Sequence, residues 1–407
     1  MPLAIVAILA VVLAAAAVVF DGDDPASAPP LRPAPLAEII ARVERERGLE
    51  FRRDPEIVRV SPAQAREEGL ASLDEDYPPA RRAADEQVLT MLGLLPEGTD
   101  LRATAASTYG EAVAGYYDPR SGRMRIVEGA QTGNRVLYEM TVAHELDHAL
   151  EDQRYDFDLG RLANGDDPAL AYSALIEGSA TALMDRYAQG RFSPEETLGG
   201  IAASAFAPTG DLPPFLMAQL LFPYTAGERF VSRLLELGGG GWDVVDAAIR
   251  FRPPASTEQV MHPRAYVEAE QPRRVRLPAR AGWRVVRGGV LGEWATGQLL
   301  AGAGGTAAGD AAAGWGGDRY ALLARGAGRA VLARWTWDTP RDAREFRAAL
   351  RAWTREGLPE GRHAAIGGAW GAVTLAVAPT ARAADALARE PPILDPPDGP
   401  PRPSAAD

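Results

Sequence analysis

Cysteine is absent from this chain of 407 residues, so disulfides, thiolate metal ligands and cysteine nucleophiles are all excluded. Any metal must be held by histidine, aspartate or glutamate. Lysine is missing as well, and all 43 basic residues are arginines against 55 acidic ones. The resulting net charge of −12 argues against nucleic acid as a partner, because phosphate binding needs a basic surface. Histidine is scarce, with four in the whole chain. The glycine-rich "AAAGWGGDRY" lacks the spacing and the lysine of a phosphate loop and reads as a tight turn. What is abundant is apolar: 46% hydrophobic residues in a chain of this length support a full core, in two domains or in one with a substantial accessory part.

The chain opens with 18 uninterrupted apolar residues, Leu3 to Phe20, followed by an acidic and proline-rich stretch. Such a run reads as an export segment, so residues 1–28 are a signal peptide or an N-terminal membrane anchor. Cleavage and membrane attachment through residues 3–20 both stay open, and in either case the working part of the chain is extracytoplasmic. Residues 29–35 read as a linker, 36–273 as the main domain, 274–388 as an accessory region and 389–407 as a disordered proline-rich tail.

Helical spacing is expected from Leu36 to Leu49, then a strand at "EIVRVSP" and a helix over Ala80 to Gly93. "GYYDPRSGRMRIVEG" reads as a hairpin with its second strand at Arg123 to Val127, an edge to which an extended peptide pairs. Three long helices follow: "NRVLYEMTVAHELDHALEDQ", "DPALAYSALIEGSATALMDRYAQG" and Pro213 to Leu237. Beyond Arg274 short strands appear, notably "AVLARWTW", with a helix capped by Thr339 and begun by Pro340. The fold class is therefore α+β: a mainly helical domain with a small hairpin or sheet, then an α+β C-terminal region.

"HELDH" places His144 and His148 four residues apart on one helix, so both imidazoles leave the same face and converge on one ion. Glu145 projects about 100° further round, near enough to take a proton from a metal-activated water and awkward for direct ligation. The helix is a core element, where two uncompensated imidazoles are costly. A catalytic zinc wants a third protein ligand. Glu177 is the candidate, because a carboxylate inside "SALIEGSATALM" needs a compensating charge that a divalent metal supplies; an arginine partner is the alternative. Gly178, Ser179 and Ala180 would let this helix approach the first closely.

"HELDHALEDQ" with "IEGSATALM" resembles the gluzincin type of zinc metallopeptidase, in which an HExxH helix supplies two histidines and a second helix a glutamate. More narrowly, the chain is similar to a group of exported bacterial proteins with HELxHALxDQ, EGxAT, PYxxGxxF and STEQxxHP motifs, the last two present as "PYTAGERF" and "STEQVMHP". The resemblance takes in "GYYDP" and "AAAGWGGDRY" and covers most of residues 40–350. It implies a zincin-like fold for the main domain, one catalytic Zn2+ on His144, His148 and Glu177, and Glu145 as general base. Two departures stand out. Asp147 replaces the usual threonine and brings a negative charge towards the metal. Thr181 occupies the place where the thermolysin branch has an aspartate, so a partner that orients a histidine must come from elsewhere.

Four further residues are candidates. Asp152, one turn after His148, is placed to orient it, or is a solvated charge. Thr181 belongs to the same surrounding layer. Tyr224 in "PYTAGERF" is a donor to a tetrahedral oxyanion, or a packed tyrosine bonded to a carbonyl. His262 lines the cleft, or is structural. The expected function is zinc-dependent hydrolysis of a peptide or protein substrate. Two rivals stay open: a catalytically silent exported binding or scaffold protein with a structural metal, and a zinc amidohydrolase acting on a non-peptide amide.

Overall fold

The computed structural model describes residues 34–111, 115–128, 134–163, 166–204, 212–304, 309–368 and 371–389. The export segment and nearly all of the proline-rich tail lie outside the described residues. Among the described residues no helix is long and apolar enough to cross a membrane.

The fold is α+β. Its N-terminal part sets helix α1 (Leu36–Arg47), strand β1 (Glu56–Val60), and helices α2 (Pro62–Asp76), α3 (Pro79–Met91) and α4 (Leu101–Glu111) ahead of a hairpin, β2 (Gly115–Asp118) and β3 (Arg123–Val127). The hairpin sits where the sequence puts it, but β3 is not an edge. The strand order is β1-β3-β2, with β1 parallel to β3 from Glu56 opposite Arg123 to Val60 opposite Val127. A strand hydrogen-bonded on both sides has no ladder left for a peptide, so the edges of this sheet are β1 and β2.

The helical core follows: α5 (Arg135–Tyr155), α6 (Leu159–Ala163), α7 (Asp167–Arg191), α8 (Pro194–Ser204), α9 (Pro214–Leu237), α10 (Asp243–Phe251), α11 (Thr257–Met261) and α12 (Pro263–Val267). Asn134 caps α5 by accepting the Leu137 N–H. Helix α5 is buried all round from Glu139 to Glu151 rather than along one face. Its polar residues are therefore interior groups that need partners.

The C-terminal region comprises β4 (Arg284–Gly289), α13 (Gly292–Gly304), β5 (Trp315–Arg325), β6 (Gly328–Trp337), α14 (Pro340–Glu356), β7 (His363–Gly367), β8 (Ala372–Ala378) and α15 (Ala381–Ala388). Its five strands form an antiparallel sheet in the order β4-β5-β6-β8-β7. Thr339 and Asp342 make a reciprocal capping box at the start of α14. "AAAGWGGDRY" is only partly a turn, since Trp315 onwards is strand β5. The strands alternate in side-chain direction: Leu332 of β6 joins a cluster under α15, whereas Val331, Ala333 and Trp335 join the main core. That main core runs without a break from Ile39 to Val377, across the sequence boundary at residue 273. Arg287 of β4 adds ion pairs to Asp85 of α3 at 3.0 Å and Asp166 at 2.7 Å, the latter just before α7.

Candidate metal centre

Helices α5 and α7 lie side by side and bring His144, His148 and Glu177 together. The Nε2 atoms of both histidines stand 3.2 Å from Oε2 of Glu177. All three residues are buried, none more than 4% exposed, and together they form a cluster able to hold a metal ion. Ligands about 2.1 Å from a tetrahedral zinc lie roughly 3.4 Å apart, so these donors stand near the spacing such an ion requires. Among the described residues no arginine pairs with Glu177. Its carboxylate answers to the two imidazoles.

Burial alone would raise Glu177, but the charge on His148 and hydrogen bonds from both rings hold it down at about 2. Burial also works against a charged His148, yet Glu177, Glu145 and Asp147 outweigh it and lift the ring to about 9. Burial, with repulsion from His148, depresses His144 to about 4 despite Glu177. The Nδ1 atoms of both rings are buried without a hydrogen-bond partner.

Glu145 is 1% exposed, and burial pushes it up to about 8. Its Oε2 accepts the backbone N–H of Tyr117 at 2.8 Å while Oε1 has no partner. Sheet edge β2 thus carries the donor that fixes Glu145, a role that "GYYDP" does not reveal by its residue types. A cavity of about 30 Å³, roomy enough for ordered water, adjoins the cluster and is lined by Tyr117, His148, Phe157, Ile176 and Glu177 among others.

Other expected residues fall differently. Asp152 does not reach His148: its carboxylate accepts the Tyr117 hydroxyl at 2.6 Å and the Phe157 N–H at 2.9 Å. Thr181 donates to the Glu177 carbonyl one turn back at 2.7 Å, so it steadies the helix and touches neither ring. Tyr224 does reach the cluster, its ring 6.2 Å from that of His144 and its hydroxyl bonded to Glu177. Burial and the two nearby carboxylates hold its hydroxyl well above the ordinary range, so it remains a protonated donor. His262 stands apart, half-exposed, with Nε2 2.8 Å from Glu293.

Asp147 turns away from the histidine side of α5. It is fully buried against α1, where Arg47 Nε lies 3.3 Å from its Oδ1, and the same guanidinium holds Glu151 at 2.8 Å and Asp246 at 2.5 Å. Trp242 stacks on that guanidinium at 4.3 Å. Asp147 is thus an anchor for α1, and no spacing rule links it to an arginine a hundred residues earlier. The small residues after Glu177 also divide their roles. Ser179 faces α5 and donates to Glu151, but Gly178 faces α9, where an added Cβ would lie 2.3 Å from the Gly227 backbone. Gly227 reciprocally allows no Cβ, which would lie 2.1 Å from the Ala174 oxygen. "PYTAGERF" therefore supplies Tyr224 to the cluster and Gly227 to the helix crossing.

No curated protein and no solved structure matches the chain. A family described as a domain of unknown function, DUF8575, matches residues 273–389, which is the five-stranded C-terminal region and leaves the His144 cluster outside it.

Proposed function

We propose that the protein is an exported zinc-dependent hydrolase, most directly a metallopeptidase, with one zinc held by His144, His148 and Glu177. The observation that carries this reading is the convergence of two imidazole nitrogens and one carboxylate oxygen at 3.2 Å, with the buried carboxyl of Glu145 on the same helix. Zinc held by these three residues would supply Lewis acidity towards a scissile carbonyl and lower the pKa of a water there. Glu145, fixed through one oxygen by the Tyr117 N–H, uses its free Oε1 to take the proton of that water and passes it to the leaving amine. Tyr224, held protonated beside Glu177, donates its hydroxyl to the developing oxyanion.

The test is zinc content of the purified protein together with cleavage of casein or a peptide library by wild type and Glu145→Gln. The expected result is one zinc per chain in both, and cleavage in the wild type alone. Protein that stays metal-free after growth in zinc overturns the proposal. One observation favours a second reading, a silent protein with a structural metal: the cluster is nearly closed to solvent. Chelation separates the two, because a structural ion leaves an unfolded chain and a catalytic one leaves a folded, inactive chain.

A further inference from the structure

Away from the His144 cluster, a cavity of about 470 Å³ opens where helix α3 meets one end of the C-terminal sheet, against about 30 Å³ beside His148. That volume is in the range of small-molecule sites, which favour junctions between structural units. One wall is a face of α3, with Glu86, Gln87 and Thr90, continued by Glu97 and Thr99 in the loop that follows. The other wall is the sheet. Continuing the pairing of Val331 with Val377 and of His363 with Ala378 sets Arg329 of β6 and Arg362, just before β7, on either side of Pro379. Two strand spacings then part the two arginines, about 10 Å. Both share the parity of Val331 and Ala364, which pack on the main core, so both rise from the face that looks toward α3.

The charges around this cavity are not paired with one another. Arg329 and Arg362 are half-buried, and among the described residues neither guanidinium meets a carboxylate. Arg329 donates to the Gly326 and Gly328 carbonyls of its own turn, and the Arg362 side chain has no protein partner among the described residues. Other buried and half-buried arginines, such as Arg82, Arg125 and Arg287, all take carboxylates. Acidic residues outnumber arginines 55 to 43, so two guanidinia left without one at a single cavity are not the result of scarcity. Across from them, Glu86 uses one oxygen to accept the Leu101 N–H, and Glu97 meets no cation among the described residues. Half-burial takes water from a guanidinium without supplying an acceptor, a cost that a bound anion removes.

We propose that this cavity binds a short peptide with both ends free, its terminal carboxylate held by Arg329 and Arg362 and its terminal ammonium by Glu86 and Glu97. Two charges of each sign line one space without forming ion pairs. A ligand of single charge would leave one pair unanswered, whereas a zwitterion meets both. Gln87, Thr90 and Thr99 offer neutral hydrogen bonds to the amides between the ends, and Met91 and Pro379 an apolar lining for a small side chain. Packed layers lie about 10 Å apart, a gap that two or three extended residues bridge at about 3.5 Å each. This inference does not depend on the zinc reading.

The experiment uses the full chain with Glu145→Gln, so that no probe is cleaved, and titrates it with Ala-Xaa-Ala tripeptides, Xaa covering the common residues, by isothermal calorimetry. The best of them should bind with Kd at or below about 1 mM. Acetylating its amino end or amidating its carboxyl end should weaken it at least about tenfold, the worth of one charge-assisted contact. Adding Arg362→Gln, which breaks no contact within the protein, should leave the free acid bound no better than the amide; Arg329→Gln runs in parallel in case the first variant fails to fold. Glu86→Gln with Glu97→Gln should likewise leave the free amine bound no better than its acetylated form. Silence from every tripeptide at about 1 mM, indifference to either cap, full affinity in the arginine variants, or equal binding of phosphate or glutarate overturns the proposal.

Discussion

Gly227→Ala puts one methyl group where α7 and α9 touch. The new Cβ would lie 2.1 Å from the Ala174 oxygen and 2.9 Å from its carbonyl carbon, both backbone atoms that cannot swing aside. Reaching even a 3.0 Å contact opens the helices by roughly 0.9 Å. Overpacking of this kind costs about 3 kcal/mol, and Tm should fall by roughly 5 °C. Ala174 is three residues from Glu177, so the carboxylate moves with it, and metal–ligand bonds tolerate only about 0.2 Å. Zinc affinity, measured by competition with a chromophoric chelator, should drop at least about 100-fold. Gly199→Ala is the control: its Cβ meets nothing within 4 Å in α8, and helix propensity favours alanine by up to about 1 kcal/mol. Wild-type Tm and zinc affinity in Gly227→Ala would refute the crossing argument. A lowered Tm with unchanged affinity would sever its link to Glu177.

Arg47→Leu should destabilise the protein by about 3–5 kcal/mol in urea denaturation, because Asp147 and Glu151 would lose the guanidinium that pairs with both; a loss under about 1 kcal/mol contradicts the anchor role. The zinc-free protein should lose stability between pH 6.5 and about 9. His148, raised from 6.5 to about 9, contributes fully below pH 6.5 and loses that contribution as pH passes 9. Glu145, raised from 4.5 to about 8, declines in the same direction, while Glu177 and His144, both lowered, change little in that window. Chemical denaturation across the window in chelator checks this, and rising stability with pH would contradict the assigned directions.

The parts of the molecule legible in the sequence were those set by local rules. Helix spacing located α5, α7 and α9, turn chemistry located β2 and β3, and the Thr339 cap located α14. The burial of Glu177 was legible too, because a lone carboxylate in an apolar helix has few places to go. What failed was long-range. That β3 is central depends on β1, more than sixty residues earlier and parallel, and no hairpin signal reports such pairing. Asp147 and Asp152 sit at helical offsets that suit the histidines, but their partners, Arg47 and Tyr117, come from elements whose approach only packing decides. Gly178 was expected to face α5 and faces α9, since a small residue permits close approach without saying to which neighbour.

The unbroken core has a practical corollary for the region 273–389. Trp294 of α13 packs at a tilt against Phe215 and Phe222 of α9, with ring centroids 5.5 and 5.4 Å apart, and its backbone N–H is received by the Thr257 hydroxyl. Excised at the limits of its family match, this piece would present that aromatic face and the orphaned Arg287 to water. A soluble fragment would then report on a damaged surface rather than on the biology of the region. The sensible unit for expression, crystallisation or partner screening is the chain from Leu36 to Arg389, taken whole.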